Sequence, residues 1–125
     1  MKEYTLLFRL DILTPEAQPS EEQMKQFMAQ WMEWLKDIAG KGQLANGGNH
    51  LQYTGKVIRP GNVIDNKPYA ANGESIAGYI IIRADNMDDA TRIAEKCPIL
   101  NGGNKNSVEI RETATPQAIN DIDRN

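Results

Sequence analysis

The stretch Ile76-Ala77-Gly78-Tyr79-Ile80-Ile81-Ile82-Arg83 leaves few choices to the chain around it. Read as a strand, it puts Ile76, Gly78, Ile80 and Ile82 on one face and Ala77, Tyr79, Ile81 and Arg83 on the other. Both faces are mainly apolar, which predicts a central strand covered from both sides. A chain of 125 residues is long enough to bury such a strand in one core.

The flanking segments supply the covers. Tyr4 to Arg9 and Leu10 alternate as a first strand, with Tyr4, Leu6, Phe8 and Leu10 on one face and Thr5, Leu7 and Arg9 on the other. Ser20 caps a helix predicted to run to about Lys41 and stop at Gly42, with Gln23 in the capping-box position and Glu21 and Glu22 in the first turn. Met24, Phe27, Met28, Trp31, Leu35 and Ile38 recur at helical spacing and predict a buried stripe, with Trp34 just off its edge. Residues 43–71 read as turn-rich, with short strands near 50–59 and 62–65 joined by a Pro60-Gly61 turn. Asn86 caps a second helix whose apolar face is Met87, Ala90, Ile93, Ala94 and Cys97, ended by Pro98. A last strand spans Ser107 to Glu112.

The order is strand, helix, strand or hairpin, strand, helix, strand. This is the ferredoxin-like βαββαβ pattern of an α+β protein, a four-stranded antiparallel sheet with two helices on one face. Residues 1–112 form the domain, and 113–125 form a loosely held polar tail anchored only by Ile119 and Ile122. The face opposite the helices would expose Leu7, Tyr79 and Ile81. The economical cover is a second copy of the chain, so the expectation is a homodimer whose sheets enclose a cavity, a dimeric α+β barrel.

Composition removes several functions. Lys and Arg number 14 against 17 Asp and Glu, and no basic face is concentrated, which argues against a nucleic-acid partner. No apolar run approaches spanning length, so no membrane role is expected. Without a leader-like start and with the lone Cys97, the reading is a cytoplasmic protein without a disulfide. One Cys and one His do not make a dedicated zinc or iron site, carboxylate binding of a harder metal stays open without support, and nothing implies a cofactor.

Several segments are similar, in order, to the YCII-related family, and particularly to its subgroup with an Asp-Gly-Pro-Phe motif. They are Met1 to Arg9, Trp31-Met32-Glu33-Trp34-Leu35, Gly42, Gly47-Gly48, Gly55-Lys56-Val57-Ile58-Arg59, the segment around Asp65, Gly78-Tyr79-Ile80-Ile81, Cys97-Pro98-Ile99-Leu100 and Val108-Glu109-Ile110-Arg111. The resemblance runs from Met1 to about Glu112. It implies a dimeric α+β barrel in the bacterial cytosol, of poorly defined biochemical role. Some relatives act on small organic molecules, with a His-Asp pair proposed as an active centre; others are encoded near sigma factors, which implies a regulatory association. Asp65-Asn66-Lys67-Pro68-Tyr69 stands where the subgroup has Asp-Gly-Pro-Phe, one residue longer and with Tyr69 for Phe. Asp65, Pro68 and Tyr69 carry the correspondence. The family's histidine lies on the first helix, where this sequence has none, so His50 is not carried over.

Two sets of side chains are candidates for chemistry. His50, the only histidine, and Asp65 fall in the region between the two patterned halves. Together they could form a carboxylate-oriented imidazole for acid–base catalysis, with Asp65 the better candidate. Apart, they are a surface-loop histidine and a turn-capping aspartate, the preferred reading. Arg9 and Arg83 project into the expected cavity, with Tyr69 and Tyr79 as further lining. An ion pair of Arg9 with Glu109 is favoured there, with recognition of an anionic organic ligand second. The leading function is therefore a small-molecule-binding homodimer that could be an enzyme; the competing one is a non-catalytic regulatory or protein-interaction module. Gly47-Gly48 and Gly102-Gly103 lack a phosphate-loop context and read as turns, and Cys97 reads as a packing residue.

Overall fold

The computed structural model describes residues 1–102 and 105–114. Its elements, in order, are β1 (Lys2–Leu10), α1 (Glu21–Gly40), β2 (Leu44–His50), β3 (Val57–Arg59), β4 (Val63–Asp65), β5 (Ser75–Ala84), α2 (Met87–Ala94) and β6 (Ser107–Glu112). Short 3-10 turns at Pro15–Ala17 and Pro98–Asn101 complete them. Four strands form an antiparallel sheet in the order β2-β5-β1-β6. The protein is α+β, with two helices against this sheet, consistent with a ferredoxin-like fold.

The central position of β5 follows from its two apolar faces. Tyr4, Leu6 and Phe8 of β1 pair with Ile82, Ile80 and Gly78 of β5, and this row faces the helices. Trp31, Trp34 and Ile38 of α1, Ala90 and Ala94 of α2, and Cys97 and Ile99 close the core over it. Phe8 meets Trp31 edge-on, with ring centroids 4.9 Å apart. Burial of this continuous apolar layer is the main stabilising term.

Local chemistry starts both helices as expected. Ser20 accepts the Gln23 backbone N–H, and the Gln23 side chain accepts the Ser20 N–H, a complete capping box. Asn86 caps α2 by accepting the Asp89 N–H at 2.8 Å. The stripe on α1 is rotated from its expected position. Trp34 is buried and its Nε1 donates to the Ile93 carbonyl at 3.2 Å, whereas Met24 and Met28 are exposed. Contact with α2 draws Trp34 inward, and that contact is not encoded in the period of α1 alone.

The segment between the halves differs most from the expectation. The sheet strand is Leu44–His50, not a strand near 50–59, and β3–β4 form a separate two-stranded hairpin. Pairing slips twice along β2: Leu44 faces Ile82, Asn46 faces Ile81, and Asn49 faces Tyr79. Each slip adds a residue on β2, so this edge strand is bulged. Gly48 is the reason it fits. Its φ is 61°, and a Cβ there would lie 1.6 Å from the Tyr79 carbonyl oxygen. The Gly47-Gly48 pair is thus a bulge against β5 and not a turn. In the hairpin, Gly61 has φ 85°, the value that a type II turn after Pro60 demands.

Beyond β6 the Thr113 N–H bonds to the Glu3 carbonyl at 2.9 Å. The tail expected to be loosely held lies, from residue 115 onward, outside the described residues. Among the described residues, no helix is long and apolar enough to cross a membrane.

Candidate functional site

Cross-strand register decides which side chains share the surface opposite the helices. On it lie Thr5, Leu7 and Arg9 of β1, Tyr79, Ile81 and Arg83 of β5, and Glu109 and Arg111 of β6. Thr5 faces Ile81 and Arg111, and Leu7 faces Tyr79 and Glu109. Leu7, Tyr79 and Ile81 are half-buried, forming an apolar band with charged ends.

At one end Arg9 Nη1 lies 2.7 Å from Glu109 Oε1. Arg111 Nη1 reaches the other oxygen of Glu109 at 3.3 Å. The Arg9 guanidinium, hydrogen-bonded to the carboxylate, holds the Glu109 carboxyl below its usual range, and Arg111 adds to the effect. The favoured ion pair is therefore present. At the other end, Arg83 faces Glu3 across the ladder and has no ion-pair partner among the described residues.

His50 lies on the opposite side of the sheet. It pairs with Gly78, which also faces Phe8, so its side chain is directed toward the helices. Its ring sits 5.5 Å from that of Trp31, at the mouth of a cleft of about 280 Å³ between α1 and β2. Asp65 stands at the end of β4, where Arg59 Nε donates to its carboxylate at 3.2 Å. No hydrogen bond or ion pair joins His50 to Asp65 among the described residues. Each has a different partner instead.

Tyr69 is exposed, and its carbonyl accepts the Ser75 hydroxyl. Tyr79 is the tyrosine that shares a surface with Arg9 and Arg83. Cys97 is only 1% exposed, and burial pushes its thiol up to about 12, which fits a packing residue.

A cleft of about 870 Å³ holds none of these candidates. It lies between the β1–α1 connection, the first half of α1 and the Pro98–Asn101 turn. Leu10, Phe27 and Ile99 form its floor, with Gln26, Gln30 and Tyr53 on the rim. Burial raises the Tyr53 hydroxyl above its ordinary value, so it stays neutral and able to donate. Sequence reasoning missed this cleft because its lining is scattered from Leu10 to Asn106 and carries no motif.

Comparison with known families closes the question of kinship. The model of the YCII-related domain matches residues 9–114. The chain belongs to the YCII-related family. Comparison with curated proteins gave no match. The YCII-related match begins at Arg9 on β1 and ends just beyond β6, so every candidate named above falls inside it.

Proposed function

We propose that this YCII-related chain works as a cytosolic homodimer whose sheets face each other across the surface opposite the helices, binding a small anionic organic molecule between them. The observation that supports this is Arg83, a guanidinium without an ion-pair partner among the described residues, beside the half-buried band of Leu7, Tyr79 and Ile81. Arg9 is already engaged by Glu109, which leaves Arg83 as the free fork for a carboxylate. Tyr79 supplies an aromatic wall, and the two sheets exclude water, which strengthens the charge pairing. The large cleft near Tyr53 has no arginine in its lining and suits an anion less well.

Catalysis is the weaker half of this reading. Asp65, with Pro68 and Tyr69, keeps the correspondence with the Asp-Gly-Pro-Phe subgroup and remains the candidate acid–base group. Its bond to Arg59 would have to open for that role. His50 faces the helices and would act only locally.

Sedimentation with and without benzoate, combined with backbone amide chemical shifts, tests the binding proposal. A dimer with benzoate-induced shifts at Tyr79 and Arg83, lost in Arg83→Gln, is expected. A monomer, or shifts gathered at Gln30 and Tyr53 instead, would move the ligand out of the inter-sheet space.

A second reading is favoured by the β3–β4 hairpin. Ile58 is 70% exposed, and its cross-strand partner Ile64 is exposed beside it. Such an unpartnered apolar surface suits a regulatory or protein-interaction module. Polar substitution at Ile58 and Ile64 would leave benzoate binding intact and remove that surface.

A further inference from the structure

Three of the five methionines, Met24, Met28 and Met32, lie at four-residue intervals along one side of α1, and all three are exposed. An exposed thioether row suits either an adaptable contact surface or sulfurs placed to bind. Met28 and Met32 line the 280 Å³ cleft that also holds Trp31 and His50, whereas Met24 lines the larger cleft near Tyr53. From Met28 and Met32 of α1 and His50 of β2, we infer a soft-metal site that takes a single Cu(I) ion through two thioethers and one imidazole nitrogen, capped by the Trp31 ring.

Several observations converge on that ion. Residues four apart on a helix have Cβ atoms about 5–6 Å apart, so two methionine sulfurs there can reach one centre. His50 enters from the facing strand, with its ring 5.5 Å from the Trp31 ring. Thioether and imidazole together select Cu(I) over Mg²⁺ or Ca²⁺, which take oxygen ligands. No Asp, Glu, Lys or Arg lines the cleft. A divalent ion would therefore lack a counter-charge, while a monovalent one costs less to desolvate. The electron-rich face of Trp31 attracts a cation as well. Cys97, otherwise the best soft ligand, is buried and protonated and does not compete. This cleft lies on the helix side of the sheet and shares only Tyr79 with the anion site proposed above.

Ag(I), which binds like Cu(I) without redox chemistry, is the probe, followed by Cu(I) under ascorbate. One equivalent is expected to saturate the protein, quench tryptophan fluorescence, and shift the His50 ring protons with the Met28 and Met32 methyl signals. Met24 and Met87 should stay unmoved. His50→Gln and Met32→Leu alter exposed side chains and should each weaken binding at least about tenfold with melting temperature unchanged. Shifts spread evenly over all methionines, or confined to Met1, would overturn the site. So would an affinity that survives His50→Gln.

Discussion

Arg9 reaches Glu109 diagonally across the sheet, its Nη1 2.7 Å from Oε1, although their ladder partners are Ser107 and Leu7. The diagonal leaves Leu7 and Tyr79 in contact across the ladder and puts a charge pair at the end of the apolar band. Since Arg111 also holds Glu109, one carboxylate organises two arginines.

The pair has a pH signature. Glu109 has its folded pKa below the ordinary 4.5, so its contribution to stability is present above that value. It is lost as pH falls through the lower folded pKa. Glu109→Gln should melt below the wild type at neutral pH, with the gap closing in acid and shrinking in salt. Melting curves across pH check this; a gap independent of pH would remove the charge from the account.

Gly48→Ala should be severe. The new Cβ meets the Tyr79 carbonyl, and the residue is held at φ 61°, so β2 must detach or shift. A loss of about 2 kcal/mol or more is expected in urea unfolding. Gly47→Ala is the control, because nothing lies within 4 Å of a Cβ there. Equal losses at the two glycines would refute the bulge explanation.

Trp34→Phe removes the indole N–H together with part of the buried ring. The Ile93 carbonyl loses its donor at 3.2 Å and the core loses some packing. A loss of about 1–3 kcal/mol is expected by denaturant titration, with α2 showing faster amide exchange than α1.

Cys97 should ignore thiol reagents in the native state. With its pKa raised to about 12 by burial, the thiolate population at mildly alkaline pH is small. Labelling should then follow unfolding, and its rate should rise with added urea. Fast labelling of the native protein would place the thiol at the surface.

Much of the fold is legible because it rests on short-range rules. Ser20 and Asn86 announce their helices, since each supplies an oxygen to a backbone N–H three residues on. The two apolar faces of Ile76 to Arg83 announce a central strand, and β5 has neighbours on both sides. The Arg9–Glu109 pair was legible too, because antiparallel pairing of the first and last strands brings them near.

The candidate site was less legible. His50 and Asp65 looked like neighbours because they flank one turn-rich segment. Strand parity sends His50 to the helix side, where it meets Trp31, and β3–β4 give Asp65 an arginine of its own.

By itself the sequence determined the caps, the alternation of β1 and that of β5 from Gly78 to Arg83, and the order of elements, all of which depend on residues a few positions apart. A bulge at Ala77 buries that residue and turns Ile76, expected beside Gly78, to the exposed face. Only the tertiary structure decided that Leu-Ala-Asn-Gly-Gly-Asn-His is a strand. Its residues are poor strand formers, and β5 is the one strand it pairs with in the sheet. The same holds for α1, where packing against α2 and not helical period chose Trp34 for the core and left Met28 and Met32 lining one cleft with His50. A contact between distant segments outweighs local preference because it buries large apolar surface, whereas propensity differs by less than about 1 kcal/mol per residue.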